Sequence, residues 1–373
     1  MNLNPIINNF QRPIRKVQIC CILIFSCAAC SLNIPYENQY SDPDAITTVT
    51  AARELLASAY DAIPKPEFSL SVLSDDFQPT FLINLNADLN NLYKWHPKPM
   101  EDLSNSLWEK YYSAIAIANT VLERIHYVSP ISDSDKQELQ CIVSEAKTLK
   151  AYCYFNLLRL FAPTYPEGPE KDGIILKERF ELAFLKRSSI SECVNAIRQL
   201  LTEAVTVDNR PSQVYWFSRQ SAYYLLAALE LYAENYDKAE EYALKILSST
   251  NAYDVLAPVH YKKLWEQEPC EECIFSLHTT NSYYTDMNYE RKKGDYFTIN
   301  STLTQLYAAN DIRYEATVYP QEMPGESIGE TLPVLYLGKY NKQNWNYKPI
   351  QYINKLRVSG ICFILAEAYC QDQ

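Results

Sequence analysis

Helical periodicity recurs along most of this 373-residue chain and limits the folds that it can adopt. In at least six segments, apolar residues return every three or four positions, which places them on one face of a helix. The predicted helices cover residues 48–62, 108–126, 137–161, 188–204, 219–234 and 237–248. Strand-like runs such as Ile274–Leu277 are short and isolated. The chain is therefore predicted to be mainly α.

Prolines, serines and alanines at particular positions predict where these helices begin and end and which of them pair. Pro64 and Pro163 stop two of them, and Ser188 or Ser191 is the predicted N-cap of the fourth. The fifth and sixth are joined by a very short turn, so they are expected to form an antiparallel hairpin. Small residues on their facing sides are typical of a tetratricopeptide-type hairpin. These residues are Ala222, Ala227, Ala239 and Ala243.

The segments between the helical pairs lack this periodicity. They cover residues 74–106, 162–187 and 251–352. Long loops on a helical scaffold are usually functional rather than simple connections. We therefore predict a scaffold of helical hairpins with loop-rich insertions that carry the binding residues.

The numbers of glycines and tyrosines and the net charge of the chain each exclude or favour a class of function. Only 7 glycines occur, which leaves little material for a glycine-rich phosphate loop. The 30 tyrosines offer flat rings with a hydroxyl, which suit a surface that is both hydrated and adhesive. The net charge of −11 argues against a nucleic-acid partner, because phosphates require a basic surface.

The N-terminus has the pattern of an export signal. Arg12, Arg15 and Lys16 give it a positive beginning, and no acidic residue precedes Cys30. The apolar run Val17–Ala29 has 13 residues, fewer than the about 20 that a membrane-spanning helix needs. Residues 1–29 are therefore interpreted as a lipoprotein signal peptide.

Cys30 is the predicted lipidated residue. Ala28-Ala29 supply the small side chains that cleavage needs, and the cysteine thiol takes the diacylglyceryl group. A cut before Cys27 would place bulky Phe25 near the scissile bond, and an ordinary secretory signal is a further alternative. Residues 30–43 are then a tether and residues 44–373 the folded domain. Removing the signal takes away three positive charges, so the net charge of −11 becomes −14.

Residues suited to catalysis or metal binding are few. None of the 4 histidines has another four positions away, as a zinc-protease helix requires. Cys270 and Cys273 resemble half a zinc or redox site, with two loop thiols or one local disulfide as the alternatives. Asp75 and Asp76 are more simply a loop-shaping pair than glycosidase acids. We predict no catalytic residue, metal or cofactor, and expect the protein not to be an enzyme.

Five stretches, in order, resemble the SusD/RagB family of outer-membrane nutrient-binding lipoproteins. They are Leu55–Ala62 with Ser74–Asp76, then Trp108–Leu122, Glu145–Arg159, the hairpin of residues 219–248, and Lys355–Arg357 with Leu365–Tyr369. Each stretch alone is an amphipathic helix of low specificity. Their order behind a lipoprotein signal carries the resemblance, which spans nearly the whole chain after Cys30.

The resemblance implies a SusD-like fold and a cell-surface protein that captures oligosaccharide. Its partner would be a SusC-like, TonB-dependent outer-membrane transporter, and its lipid anchor would hold it in the outer membrane, facing outward. Peptide cargo is the alternative within the same family. A helical-repeat scaffold for proteins and a glycoside hydrolase are alternatives from other classes, and the residues support the hydrolase least.

Aromatic residues in polar loops are the candidates for ligand binding. Tyr93 and Trp95 lie in an Asn-rich segment after the first helix, a region that contributes to the ligand surface in proteins that this chain resembles. Sugar rings stack their C–H faces on flat aromatic rings. The other predicted members of this aromatic platform are Tyr283, Tyr284, Tyr289 and Trp345. The competing interpretation is that Trp95 fills a local hydrophobic hole.

The chain also departs from the family pattern. Ser144 stands where the family usually has glycine, and Gly360 stands where a glutamate is common. The sequence stops four residues after Tyr369, where the family continues, so the chain is interpreted as a C-terminally short or truncated member. The apolar face of its last helix is then expected to lack a cover. That face consists of Ile361, Phe363, Ile364 and Leu365.

Overall fold

The computed structural model describes residues 46–179, 184–266, 268, 270–278, 296–325, 327, 329–337 and 352–371. The α-helices are α1 Val49–Ala62, α2 Glu67–Leu73, α3 Ala87–Tyr93, α4 Pro97–Arg124, α5 Asp133–Phe161, α6 Ile190–Ala204, α7 Arg219–Tyr232, α8 Tyr236–Leu247, α9 Ala252–Val255, α10 Pro258–Trp265, α11 Ser301–Gln305, α12 Ile312–Thr317 and α13 Val358–Gln371. The strands are β1 Phe77–Pro79, β2 Cys273–His278, β3 Phe297–Ile299, β4 Val318–Pro324, β5 Thr331–Leu337 and β6 Tyr352–Arg357. Short 3-10 helices cover Phe81–Leu85, Ile125–Tyr127 and Tyr165–Glu167.

The mainly α prediction is confirmed, and α5 is the centre of the fold. A capping box between Ser132 and Asp135 starts this helix and supplies partners for its first N–H groups. Helices α1, α4, α6 and α7 all contact it. Apolar side chains from these helices are removed from water between them, including Leu56, Ile115 and Leu149. Burying a side chain of this size stabilises a fold by about 1.5–3 kcal/mol.

Helix boundaries differ from the predicted ones at several N-termini, including that of α5, which begins at Asp133 instead of Gln137. Helix α4 begins at Pro97 instead of Trp108, because proline suits the first helical position and Leu103 and Leu107 continue the inward face. The N-cap of α6 is Ser189, not Ser188 or Ser191, and its hydroxyl accepts from the backbone N–H of Glu192 at 3.2 Å. The segment of residues 74–106, which was predicted to be a loop, also contains the short helix α3.

The α7–α8 pair forms the predicted antiparallel hairpin. All four alanines of the predicted contact are buried, so the helices approach closely. The rings of Tyr223 and Tyr242 stack across the pair, with centroids 6.2 Å apart. Glu234, in the turn, has a φ of 58°, which reverses the chain between the two helices.

Two tyrosine hydroxyls attach the chain after α5 to the helical core. The Tyr112 hydroxyl accepts from the Ile175 N–H at 2.9 Å and donates to the Ile175 carbonyl at 2.8 Å. The Tyr154 hydroxyl makes the same pair of bonds with Lys177, both at 2.8 Å. Asn119 donates to the Lys177 carbonyl at 3.0 Å. Backbone outside any strand thereby obtains its hydrogen-bond partners.

The strands of the described residues form three two-stranded antiparallel sheets, β1–β3, β2–β6 and β4–β5. The predicted strand-like run lies within β2. Phe275 of β2 points into the helical core and is fully buried. At the other end of the sheet, His278 is paired with Tyr352 of β6.

The last helix, α13, is partly covered, which corrects the expectation of a bare apolar face. It packs against α7 and α8, and this contact buries Ile361 and Ile364, whereas Phe363 stays 74% exposed. A Cβ atom at Gly360 would meet the hydroxyl of Tyr224, so the glutamate common in the resembling family would require the Tyr224 side chain to shift.

No helix among the described residues is both long and apolar enough to cross a membrane.

Candidate functional site

A buried carboxylate joins three parts of the fold. Glu145 of α5 has a side chain only 1% exposed. It accepts hydrogen bonds from Arg53 at 2.9 Å, from the Tyr60 hydroxyl at 3.2 Å and from the Asn209 amide at 3.3 Å. Arg53 also contacts Glu138 at the protein surface, at 2.5 Å. A buried charge requires several such partners, and here α1 and the α6–α7 loop supply them.

The same network holds the α6–α7 loop, residues 205–218. While the Tyr60 hydroxyl donates to Glu145, it accepts from the Phe217 N–H at 2.8 Å. The Asn209 amide donates to the Phe217 carbonyl at 2.9 Å. The buried Phe217 ring stacks on Phe275, with centroids 3.9 Å apart. The loop is therefore fixed to the core immediately after Tyr215 and Trp216.

Burial dominates the acid–base chemistry of this network. Loss of water raises the pKa of Glu145 to about 7, although the hydrogen bonds and the charge of Arg53 act in the opposite direction. Burial and the Glu145 charge raise the pKa of Tyr60 well above its ordinary value, so this hydroxyl keeps its proton. The network thus serves as an anchor in which Glu145 titrates near neutrality.

Trp216 stands between two clefts. The Arg53 guanidinium lies 5.0 Å from its ring centroid, and the Tyr60 ring meets it edge-on at the same distance. On one side is a cleft of about 570 Å³ that reaches to Glu138 and Glu145. On the other is a cleft of about 390 Å³ between the α6–α7 loop, the start of α7, the end of α8 and the start of β2. Both volumes lie in the range of small-ligand sites.

Tyr215, His278 and Tyr352 form an aromatic cluster on the surface, the Tyr215 cluster. The Tyr215 ring lies 5.1 Å from His278 and 6.4 Å from Tyr352, nearly parallel to the latter. His278 and Tyr352 are 5.4 Å apart. All three side chains are partly exposed. Such rings offer rigid contact area that loses little conformational entropy on binding.

Trp95 has the most exposed position among the predicted platform residues that the structure describes. Its side chain is 61% exposed and its φ is 57°. The Trp95 N–H donates to the Leu92 carbonyl, and the His96 N–H donates to the Asn91 carbonyl, both at 2.9 Å. This is the Schellman arrangement, with Trp95 at the position where glycine is usual. A bulky residue held there is strained, as is common at functional positions.

Tyr93 lies at the end of α3 and is partly buried. Its ring is 5.9 Å from Phe297 of β3, and it packs against the hydrophobic core. Tyr93 therefore has a structural contact that Trp95 does not make with the described residues. A role in ligand binding stays a prediction for both residues.

The remaining predicted site residues lie outside the described part of the chain. Tyr283, Tyr284 and Tyr289 fall between His278 and Tyr296, and Trp345 falls between Leu337 and Tyr352. Cys30 belongs to residues 1–45, which are also outside it. His278 and Tyr352, where these two connections leave the described chain, both belong to the Tyr215 cluster.

Tyr215 and Trp216 were not among the predicted site residues, yet the sequence carries a signal for them. They stand in the run Gln213-Val214-Tyr215-Trp216-Phe217, between two predicted helices and outside any helical repeat. Like Trp95, they are aromatic residues without a periodic apolar face. The contact of Tyr215 with β2 and β6 depends on tertiary structure and has no local signal.

The Cys270–Cys273 pair forms a turn before β2. Both residues are free thiols, and the Cys273 Sγ lies 2.9 Å from the Ser276 hydroxyl. Burial raises the pKa of Cys273 to about 12, so this thiol is poorly nucleophilic. Within the described ranges, no group of three or more His, Cys, Asp or Glu residues is placed to hold a metal ion.

Comparison with known proteins extends these observations. A profile of the SusD-like family described as "Starch-binding associating with outer membrane" matches residues 35–231. SusD-like protein P38 of Formosa agariphila is 25% identical over 232 residues, which make up 60% of this chain and 42% of that protein. The chain therefore spans less than half the length of this relative.

Solved structures share the fold. The SusD-like carbohydrate binding protein of Bacteroides vulgatus superposes with a TM-score of 0.70 at 17% identity, over 87% of this chain and 72% of that one. A SusD superfamily protein of Bacteroides thetaiotaomicron gives a TM-score of 0.70 at 20% identity, over 87% and 77%. Surface glycan-binding protein A of Bacteroides fluxus gives 0.64 at 17% identity, over 87% and 77%.

The family match covers the helices at the centre of the fold described above. The family profile extends from before α1 into α7 and includes the helices that bear Tyr60, Glu145 and Tyr154. Those residues hold the α6–α7 loop and the segment after α5 against the core. The profile matches more than half of the chain, and the chain belongs to the SusD-like family described as starch-binding and associating with the outer membrane.

Proposed function

We propose that this protein binds glycans at the outer-membrane surface and delivers them to a TonB-dependent outer-membrane transporter. Membership of the SusD-like family is the observation that carries the proposal. The solved relatives named as carbohydrate- and glycan-binding proteins support it. That the cargo is a glycan, that the partner is a transporter and that the chain carries a lipid anchor are all parts of the proposal.

The exposed aromatic residues are consistent with a glycan cargo. Trp95 and the Tyr215 cluster present flat rings to solvent, and the predicted platform adds Tyr283, Tyr284, Tyr289 and Trp345. Rings of this kind stack on the C–H faces of sugars while neighbouring amides and hydroxyls bond to sugar hydroxyl groups. The proposed platform therefore comprises Tyr93, Trp95, Tyr283, Tyr284, Tyr289 and Trp345, and the Tyr215 cluster is a separate set of exposed rings.

Binding without chemical conversion is the proposed mode of action. Glu145, whose pKa is near neutrality, is occupied on the inside of the fold by Arg53, Tyr60 and Asn209. Its position suits holding the α6–α7 loop rather than transferring a proton to cargo. The protein would therefore release the glycan unchanged to its partner.

Attachment through Cys30 and an outward-facing position in the outer membrane are both part of the proposal. Metabolic labelling with a palmitate analogue should fail for Cys30→Ser and persist for Cys27→Ser. The reverse result would move the anchor to Cys27. Labelling of both variants would reject Cys30 as the single anchor.

Titration calorimetry of the mature protein against oligosaccharides, neutral and charged, and against peptides tests the cargo. The proposal predicts heat from at least one oligosaccharide and none from the peptides. Binding of peptides alone would replace the glycan proposal with the peptide alternative. Co-purification of a TonB-dependent transporter from solubilised outer membranes, dependent on this protein, tests the partnership.

A further inference from the structure

The cleft of about 390 Å³ next to Trp216 has its own chemical character. None of the predicted platform residues within the described ranges lines it. Its walls come from the α6–α7 loop, α7, α8 and β2. These elements belong to the packed core of the fold, so the cleft has a defined shape. It is large enough for one or two sugar rings.

The charges in this cleft are unlike those of the chain as a whole. Its lining contains three cationic side chains, Arg210, Arg219 and Lys245, but one carboxylate, Asp208. The chain carries a net charge of −11. A local excess of positive charge on an acidic protein favours an anionic ligand at this place over the rest of the surface.

Asp208 is the carboxylate that two of these cations, Arg210 and Arg219, share. Arg210 lies 2.9 Å and Arg219 lies 3.2 Å from the same oxygen of Asp208. The hydrogen bond from Arg210 holds the pKa of Asp208 below its ordinary value, so this group is ionised at neutral pH. Two guanidinium groups thus share one negative charge. Each keeps N–H donors that bond to none of the described residues, in a planar fork that fits carboxylate and sulfate oxygens.

The third cation is held over an aromatic ring. The Lys245 ammonium lies 5.5 Å from the Tyr223 ring centroid, and Glu241, which does not line the cleft, contacts it at 3.0 Å. The Lys245 side chain is 43% exposed, so the ammonium stays accessible. Trp216 supplies a second flat ring to the same cleft. Cations beside flat aromatic surfaces match a sugar ring that bears a negative charge.

We infer that this cleft binds an anionic sugar unit, a uronate or a sulfated sugar, within the glycan that the protein captures. The inference rests on the proposed glycan-binding function and adds the class of cargo. The acidic group meets Arg210, Arg219 and Lys245, and the ring lies against Trp216 and Tyr223. Gln220 and Ser249, which lie 3.3 Å apart at the rim, provide amide and hydroxyl groups for the sugar hydroxyls.

Titration calorimetry with matched oligosaccharides tests this inference. The probes are oligogalacturonate with its fully methyl-esterified form, and a sulfated galactan oligosaccharide with its desulfated form. Within each pair the sugar backbone is the same, and the second form lacks the negative charge. At least one charged probe should bind tenfold or more tightly than its neutral counterpart, and its affinity should fall as NaCl is raised. The pair that shows the difference identifies carboxylate or sulfate as the recognised group.

Substitutions in the cleft test whether the preference for the charged probe arises there. The double variant Arg210→Gln/Lys245→Gln should lose at least fivefold in affinity for the charged probe and keep its affinity for the neutral one. Both side chains are largely or partly exposed, with 77% and 43% of their surface accessible, so the fold should tolerate the change. Lys98→Gln, which removes a cation that is 75% exposed and outside the cleft, is the control and should not alter binding.

Other outcomes separate this inference from the proposed function. Equal affinity for charged and neutral probes, or an unchanged affinity in the double variant, would overturn the anionic-sugar inference and leave glycan binding standing. Absence of binding to every oligosaccharide, charged or neutral, would reject the proposed function and the inference together.

Discussion

The hydroxyl of Tyr60 donates to the carboxylate of Glu145 at 3.2 Å, across a separation of 85 positions in the sequence. Both residues belong to stretches that carry the family resemblance, where they read as parts of amphipathic helices. Their contact shows that they also anchor the α6–α7 loop, because Tyr60 binds the Phe217 backbone on its other side. The position of Trp216 next to both clefts follows from this pair.

Glu145→Ala is expected to destabilise the protein strongly. The change leaves the buried donors of Tyr60 and Asn209 without their acceptor, and such unpaired groups cost about 1–3 kcal/mol each. We expect urea unfolding to show a loss of about 3–5 kcal/mol. Glu138→Ala removes the other carboxylate bound to Arg53, but Glu138 is 43% exposed, so its loss should cost about 1 kcal/mol or less. Equal effects of the two substitutions would contradict the anchoring role of Glu145.

The stability of the protein should depend on pH through Glu145. Burial raises the pKa of this carboxyl from an ordinary 4.5 to about 7 in the folded state. Between these values the folded protein holds a proton that the unfolded chain has released. The contribution of Glu145 is therefore fully present below pH 4.5 and is lost as the pH rises through 7.

Glu145→Gln provides the comparison, since glutamine has a similar shape and does not titrate. The unfolding free energy of the wild type, measured relative to this variant, should fall by about 2–3 kcal/mol between pH 4.5 and pH 8. A difference that stays constant, or that grows with pH, would show that burial does not raise the pKa of Glu145.

Tyr154→Phe should lower stability more than Tyr111→Phe. Both rings are buried, but only the Tyr154 hydroxyl binds backbone, at the N–H and carbonyl of Lys177. The Tyr111 hydroxyl makes no hydrogen bond to the described residues. We expect thermal unfolding to report a loss of about 1–3 kcal/mol for Tyr154→Phe and less than half of that for Tyr111→Phe. The opposite order would contradict the conclusion that the Tyr154 hydroxyl attaches the segment after α5 to the core.

The helical scaffold was predictable because its signals are local. The inward face of α5, the small residues of the α7–α8 hairpin and the proline after α5 can all be read along the sequence. The N-cap of α6 was predicted wrongly because several neighbouring serines compete for that position. Ser188, Ser189 and Ser191 all suit the position, and the extended backbone at Ser189, together with the carboxylate of Glu192, decides among them.

The candidate site was only partly predictable, since its contacts are between distant residues. Nothing near Tyr215 in the sequence indicates its neighbours His278 and Tyr352. The left-handed backbone at Trp95 was equally hidden, because a tryptophan there contradicts the preference for glycine at the end of a helix. The polar character of the surrounding segment was the only local signal of its exposure.

The central claim, that exposed aromatic residues bind the glycan, is tested most directly by calorimetric titration of Trp95→Gly with an oligosaccharide that the wild type binds. Glycine relieves the left-handed backbone, so thermal stability should be unchanged or higher by about 1 kcal/mol. Affinity should fall at least tenfold, since removing a central aromatic contact costs about 2 kcal/mol or more. Unchanged affinity in Trp95→Gly, and again in the triple variant with Tyr284→Ala and Trp345→Ala, would contradict the claim.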